Sequence, residues 1–278
     1  MTLSSAYLLV FHGSRDCRTQ KAVLDLVSAL IKQLKNKTIL TQRKYLKQDL
    51  LSLVSGNATI LDRLVTPMIE AAALELSSLP LHQSIIQFAL KAEQQGYREI
   101  KIVPLFLSAG VHVREDIPLE ITQAKKVLGN KITIKLSRYL GKYSGIVQLL
   151  VSKFTELNGE RFAHCLRDRN ILLVHGSRLP SANQRYQALA SQLDAVVVNW
   201  AIGSNTAHLE GQVETFVRER VQKIAILPYF LFPGKTTSAI ADKVEQLQIN
   251  YPQVQLILGQ PLGVTPELGD LIVREVLK

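Results

Sequence analysis

Two stretches of the chain share one design. LLVFHGSR ends at Arg15 and ILLVHGSR ends at Arg178, each an apolar run delivered into His-Gly-Ser-Arg. A second pair follows in the same order, with IKIVPLFL over 100–107 answered by IAILPYFL over 224–231. Two ordered matches point to an internal duplication, which restricts the fold to one unit used twice. Within each half an apolar run leads into a Gly/Ser turn, a helical stretch and another apolar run, so β and α segments alternate. Continuous apolar strands suit a parallel sheet covered by helices on both faces. The expected architecture is therefore α/β, with two similar doubly wound parallel-sheet domains, residues 1–160 and 161–278, and a cleft between them. The spacing from His12 to Pro104 exceeds that from His175 to Pro228, and the surplus is placed in a basic, partly amphipathic helical insertion near residues 35–68.

A chain of 278 residues with 47% hydrophobic content can bury a sizeable core. No apolar run reaches the roughly 18–20 residues that span a bilayer, and the first fifteen residues lack the basic start and long apolar segment of a signal peptide. A soluble, cytoplasmic protein is expected. The two cysteines, Cys17 and Cys165, form no CxxC pattern, which argues against a disulfide framework, a zinc finger or a Cys-ligated cluster. The net charge of +10 suits an anionic partner, although a merely basic surface accounts for it equally well. A nucleic-acid role would rest on that charge alone, with no motif and 6% aromatic residues, and is not expected.

Ligands of doubly wound sheets collect at the carboxyl ends of strands, and both His12 and His175 fall there. Gly13 permits a tight turn, and Ser14 is placed to cap the following helix, in which Ala22, Leu26, Ala29 and Leu30 recur at helical spacing. Backbone N–H groups at that helix start favour an anion; Arg15 and Arg178 could pair with carboxylates of a ligand or form structural salt bridges. The richest segment is VPLFLSAGVHVREDIP, residues 103–118, where the small residues Ser108, Ala109 and Gly110 lead from a strand to His112, Arg114, Glu115 and Asp116. One histidine after a strand is more often structural. Two on adjacent strand-end loops make a site for an exchangeable first-row divalent ion. Glu75, in AALELSSLP, interrupts an apolar run, where a carboxylate is costly unless paired or solvated. The second half lacks this set. Carrying the proline-to-proline offset across, His112 falls on Thr236, Asp116 on Ile240 and Glu75 on Asn199.

With these residues the chain resembles the class II tetrapyrrole chelatases of the sirohydrochlorin type. The likeness is carried by HGSR at 12–15, LEL at 74–76, VPLFLSAGVH at 103–112, EDIP at 115–118 and the second HGSR at 175–178. It implies a bilobal fold, a tetrapyrrole between the lobes, and insertion of Fe²⁺ or Co²⁺, with Ni²⁺ not excluded, into sirohydrochlorin for sirohaem or cobalamin synthesis. The metal is then a substrate, with no permanently bound cofactor. By motif match His12 and His112 handle the metal and Glu75 accompanies them, while Gly13, Ser14, Arg15, Ser108, Ala109, Gly110 and Arg178 line the tetrapyrrole site. Single-domain members of the family form homodimers, so this double-length form is expected to be a monomer without nucleic-acid or membrane partners.

The chemistry implied is compatible with the composition. A polycarboxylate macrocycle is drawn to a basic cleft. Metal entry expels two pyrrolic protons, which a His or Glu can accept, and no P-loop is present to suggest coupling to ATP. Two other classes compete. A non-catalytic tetrapyrrole or metal carrier would bind without accelerating insertion. A histidine phosphatase would carry Arg immediately before His-Gly, where Phe11 and Val174 stand.

Overall fold

The computed structural model describes residues 5–49, 67–159, 168–176, 180–200 and 207–276. In chain order the elements are β1 (Ser5–Phe11), α1 (Cys17–Asp49), β2 (Ile69–Ala73), α2 (Leu81–Gln94), β3 (Glu99–Pro104), α3 (Ile117–Leu128), β4 (Thr133–Leu136) and α4 (Ile146–Asn158). The second half repeats the series as β5 (Asp168–Val174), α5 (Pro180–Gln192), β6 (Ala195–Asn199), α6 (Ala207–Arg218), β7 (Lys223–Pro228), α7 (Lys235–Asn250), β8 (Gln255–Leu258) and α8 (Pro266–Glu275). Two parallel sheets result, in the orders β2-β1-β3-β4 and β6-β5-β7-β8. The expected doubly wound α/β class, used twice, is what the chain adopts.

Burial on both sides of the central strands explains their unbroken apolar runs. Along β1, Ala6, Leu8 and Val10 enter a core with α2 and α3, through Ile85, Phe88, Ile117 and Ile121. The alternate residues Tyr7 and Leu9 enter a different core. That second core is shared by both halves, joining Leu26 and Leu30 of α1 to Leu172 and Val174 of β5 and to Leu268 and Leu271 of α8. The second half keeps a separate core of its own between its sheet and α6 and α7. Two helices cross the sequence boundary to make this arrangement. α4 lies against β7, and α8 lies against α1. Gly269 of α8 comes so close to Gln33 of α1 that a Cβ there would stand 2.8 Å from its amide.

Three local expectations are corrected. Asp16, not Ser14, caps α1: its Oδ1 accepts from the Arg18 backbone N–H at 3.0 Å, whereas Ser14 Oγ accepts from the N–H of Asp16, before the helix begins. Hydrogen bonding from the Arg18 side chain holds the Asp16 carboxyl down at about 2. The buried seam of α1 is centred on Val23, Leu26, Leu30 and Leu34, with Ala22 and Ala29 at its margins. Finally, Phe11 pairs with Ala73 and Val174 with Asn199, so Asn199 is the counterpart of Ala73 rather than of Glu75. The β1–β2 and β5–β6 crossovers differ in length, so the offset measured on β3 and β7 does not transfer to β2 and β6. Of the insertion expected near 35–68, the stretch to Asp49 continues α1; residues 50–66 lie outside the described residues.

Candidate metal and tetrapyrrole site

The order β2-β1-β3-β4 places the topological switch point between β1 and β3, where successive connections leave on opposite faces of the sheet. His12 follows β1 and His112 lies on the loop after β3, so the two flank this crevice. Glu75 is brought in by an extension of the β1–β2 ladder: Leu74 N–H donates to Phe11 O at 2.8 Å and Glu75 N–H to His12 O at 2.9 Å. This backbone pairing seats the carboxylate beside the imidazole. The passage is tight. Gly13 adopts φ 101°, and a Cβ there would stand 1.9 Å from the Glu75 carbonyl oxygen, so only glycine fits. Leu76 follows Glu75 with φ 56°, a left-handed conformation that is costly for a leucine and is retained at this turn.

One potential ligand atom from each of His12, Glu75 and His112 lies within 4.8 Å of the others. Glu75 spans the pair, with Oε2 at 4.0 Å from His12 Nε2 and Oε1 at 3.8 Å from His112 Nδ1. The imidazole centroids are 4.8 Å apart. The side chains of His12 and Glu75 are 54% and 49% exposed, open enough to exchange a ligand. Burial, followed by the neighbouring His112 and His175, lowers the His12 pKa against an upward pull from Glu75. His12 is thus kept neutral, the form that offers a lone pair to a metal or accepts a proton. Two imidazoles and a carboxylate suit a borderline divalent ion such as Fe²⁺, Co²⁺ or Ni²⁺.

The remaining expected residues divide. Ser14 is half-buried, and Arg15 is exposed with no ion pair among the described residues. Ser108, Ala109 and Gly110 form the half-buried approach to His112, and Gly110 has open space where a side chain would project. The Ser108 hydroxyl is engaged by Tyr186 of α5. Arg178 lies outside the described residues. Asp116 was visible in the sequence but not selected for the site, yet its Oδ2 stands 2.7 Å from His112 Nδ1; the i,i+4 spacing was the available signal.

The second half meets this site edge to edge. Thr19 donates through Oγ1 to Pro233 O at 2.8 Å, Arg18 to Ser238 Oγ at 2.9 Å, and Arg114 to Ser181 Oγ at 3.0 Å. Tyr229 donates to Leu107 O at 3.4 Å, and Arg185 to Gly141 O, beside which the Leu107 backbone packs. These contacts brace the loop that leads to His112, and nothing in the sequence pattern announced them. His175 follows β5 as His12 follows β1, is exposed, and has Phe230 edge-on at 6.2 Å.

A cavity of about 650 Å³ opens beside the site along β2, lined by Ser14 and Leu76 as well as Gln20, Gln87 and Lys91, and contains neither His12 nor His112. The donor geometry, not cavity size, marks the site. Among the described residues, no helix is long and apolar enough to cross a membrane.

Known proteins share this organisation. The chain is 26% identical over 216 residues to a sirohydrochlorin ferrochelatase of Priestia megaterium, covering 76% of this chain and 77% of that protein. It is 22% identical over 211 residues to a sirohydrochlorin cobaltochelatase of the same organism, covering 74% and 67%. The structure of SirB from Bacillus subtilis with Fe³⁺ superimposes with a TM-score of 0.68 at 20% identity, covering 99% of this chain and 94% of that one. A model of the CbiX family matches residues 41–157 and 169–278, one stretch in each half. His12 lies upstream of the first stretch and is tied to the unit by strand register instead. Most of the chain, with every strand of both sheets but β1, thus falls under one description, and the protein belongs to the CbiX family.

Proposed function

We propose that this protein is a metal chelatase, a lyase that inserts a divalent ion, Fe²⁺ or Co²⁺, into sirohydrochlorin. The observation that carries the reading is the convergence of His12, Glu75 and His112 within 4.8 Å at the switch point of the first sheet. The sirohydrochlorin chelatases to which the chain is similar supply the substrate class. The ion is a substrate. It rests on two imidazole nitrogens and one carboxylate, a set that holds it without the closed thiolate cage of a structural site. The tetrapyrrole enters between the lobes, drawn by the basic surface, with Arg15 and the backbone around Gly13, Ser14, Ala109 and Gly110 facing its carboxylates. As the ion passes into the ring, two pyrrolic protons must leave, and His12 and Glu75 are placed to accept them. The fused lobes act as a monomer in the cytoplasm, and the product feeds sirohaem or cobalamin synthesis.

The test is an anaerobic absorbance assay with sirohydrochlorin and Fe²⁺, Co²⁺ or Ni²⁺ in turn, against protein-free controls. Acceleration with one ion is expected and identifies it. A spectral shift on binding with no acceleration by any ion would replace the enzyme by a carrier.

A further inference from the structure

A neutral imidazole carries one N–H and one lone pair, and the partner of the first nitrogen decides which nitrogen offers the second. At His112 the two carboxylates of the site treat the ring differently. Glu75 lies between the histidines, at 3.8 Å from His112 Nδ1 and 4.0 Å from His12 Nε2, and is one of the three convergent groups. Asp116 is not one of them. Its Oδ2 lies 2.7 Å from His112 Nδ1, and no Lys or Arg pairs with it among the described residues.

The backbone explains why these side chains meet. Residues His112–Asp116 form a single π-type turn, in which the Ile117 N–H donates to His112 O. Pro118 stands in the first turn of α3 and has no N–H, so an α-type bond to the Arg114 carbonyl cannot form. The helix opens with the wider turn, and the His and Asp four residues apart are closed within it. Arg114, between them, is drawn away to Ser181 of the second half and does not compete for the carboxylate.

We propose that Asp116 is a positioning residue: it accepts the Nδ1 proton of His112, fixes that tautomer, and so leaves Nε2 as the nitrogen with a lone pair to offer the ion. Carboxylate-to-imidazole support of this kind orients a metal-binding ring and raises its basicity. The inference deepens the chelatase reading and rests on it for the identity of the ion's destination; the tautomer itself does not depend on it.

The experiment uses the full chain without tetrapyrrole. Long-range ¹⁵N–¹H correlation on histidine-labelled protein, at about pH 8.5 where an ordinary imidazole is neutral, should show His112 protonated at Nδ1. Asp116→Ala should shift it to the Nε2–H form, and Co²⁺ titration should show affinity weakened about 10–100-fold. In Asp116→Asn the amide oxygen still accepts from Nδ1, so the tautomer and most of the affinity should remain. An Nε2–H tautomer in the unaltered protein overturns the proposal, as does unchanged Co²⁺ affinity in Asp116→Ala or an equal loss in the Asn variant. Should the Ala variant fail to fold, the unaltered protein and Asp116→Asn still decide the point. A protein with the Nδ1–H tautomer and Asp116-dependent Co²⁺ binding, but no insertion activity, would remove the proposed function and leave this inference standing.

Discussion

At the end of β1 the chain runs Phe11-His12-Gly13, and at the end of β5 it runs Val174-His175-Gly176; both glycines have positive φ, and both strands take the second place in the same sheet order. What differs is what the neighbouring strands bring. Beside His12 stand Glu75 and His112, whereas the offset that relates β3 to β7 puts Thr236 in the first turn of α7 where the first half has His112. The comparison teaches that turn geometry and chemistry were duplicated together but are separable. A His-Gly turn survives as architecture in a half where no second metal set occurs among the described residues, because the turn is needed to leave the sheet and the ligands are not. Tyr186, Tyr229 and Arg185 of the second half instead reach the loop that leads to His112.

Replacing ligands should break the symmetry most visibly. His112→Ala is expected to lower metal-insertion turnover by about 10²–10⁴-fold, the range for removing a group that handles protons or the reacting ion. The same assay on His175→Ala, which neighbours His12 but is not one of the three convergent groups, should stay within about twofold; an equal loss there would mean that both lobes act on the substrate. Next in size is Gly13→Ala, which must move the Glu75 carbonyl and adopt a left-handed backbone. Urea unfolding should show a loss of about 2–4 kcal/mol, and Co²⁺ binding should fall with it.

A smaller effect separates the halves by pH. The lowered His12 pKa means that the folded protein takes up this proton at a lower pH than the unfolded chain does. The contribution to stability therefore rises with pH up to about 6.5 and is lost on acidification below it. Protons and Co²⁺ compete for His12, so in titrations at descending pH its loss of affinity should begin below about 6.5. A break above that value would contradict the burial and neighbour effects at His12. Smallest is Tyr229→Phe, which removes only the hydroxyl directed at Leu107 O. It should cost about 0.5–1.5 kcal/mol in equilibrium unfolding and speed amide exchange in residues 105–112. Unchanged exchange would show that the second half does not brace that loop.

The strands and the three convergent residues were legible in the sequence for physical reasons. Unbroken apolar runs identify doubly covered strands, and His12, Glu75 and His112 stand where those runs stop. The cap was not, because Ser14 and Asp16 are both capping residue types and only the path of the backbone after Gly13 selects between them. The counterpart of Glu75 was misassigned because a repeat offset holds only between elements joined by equal connections. Asp116 had the right spacing, but the π-type turn in which it meets His112 could not be read from periodicity. The partners of α4 and α8 were hidden for a general reason: an amphipathic pattern declares that a helix has an apolar face without saying which sheet receives it.

The placement of those two helices has a consequence for how the protein is made. α8 is the last described element, and it covers α1, which is synthesised long before it. Leu26 and Leu30 therefore wait until Leu268 and Leu271 have been made. Although the chain reads as a unit followed by its copy, it cannot mature as two beads in succession: the lobe bearing the proposed metal site is left open until the copy is complete. Loss of α8 would then be felt first at α1, in the other half.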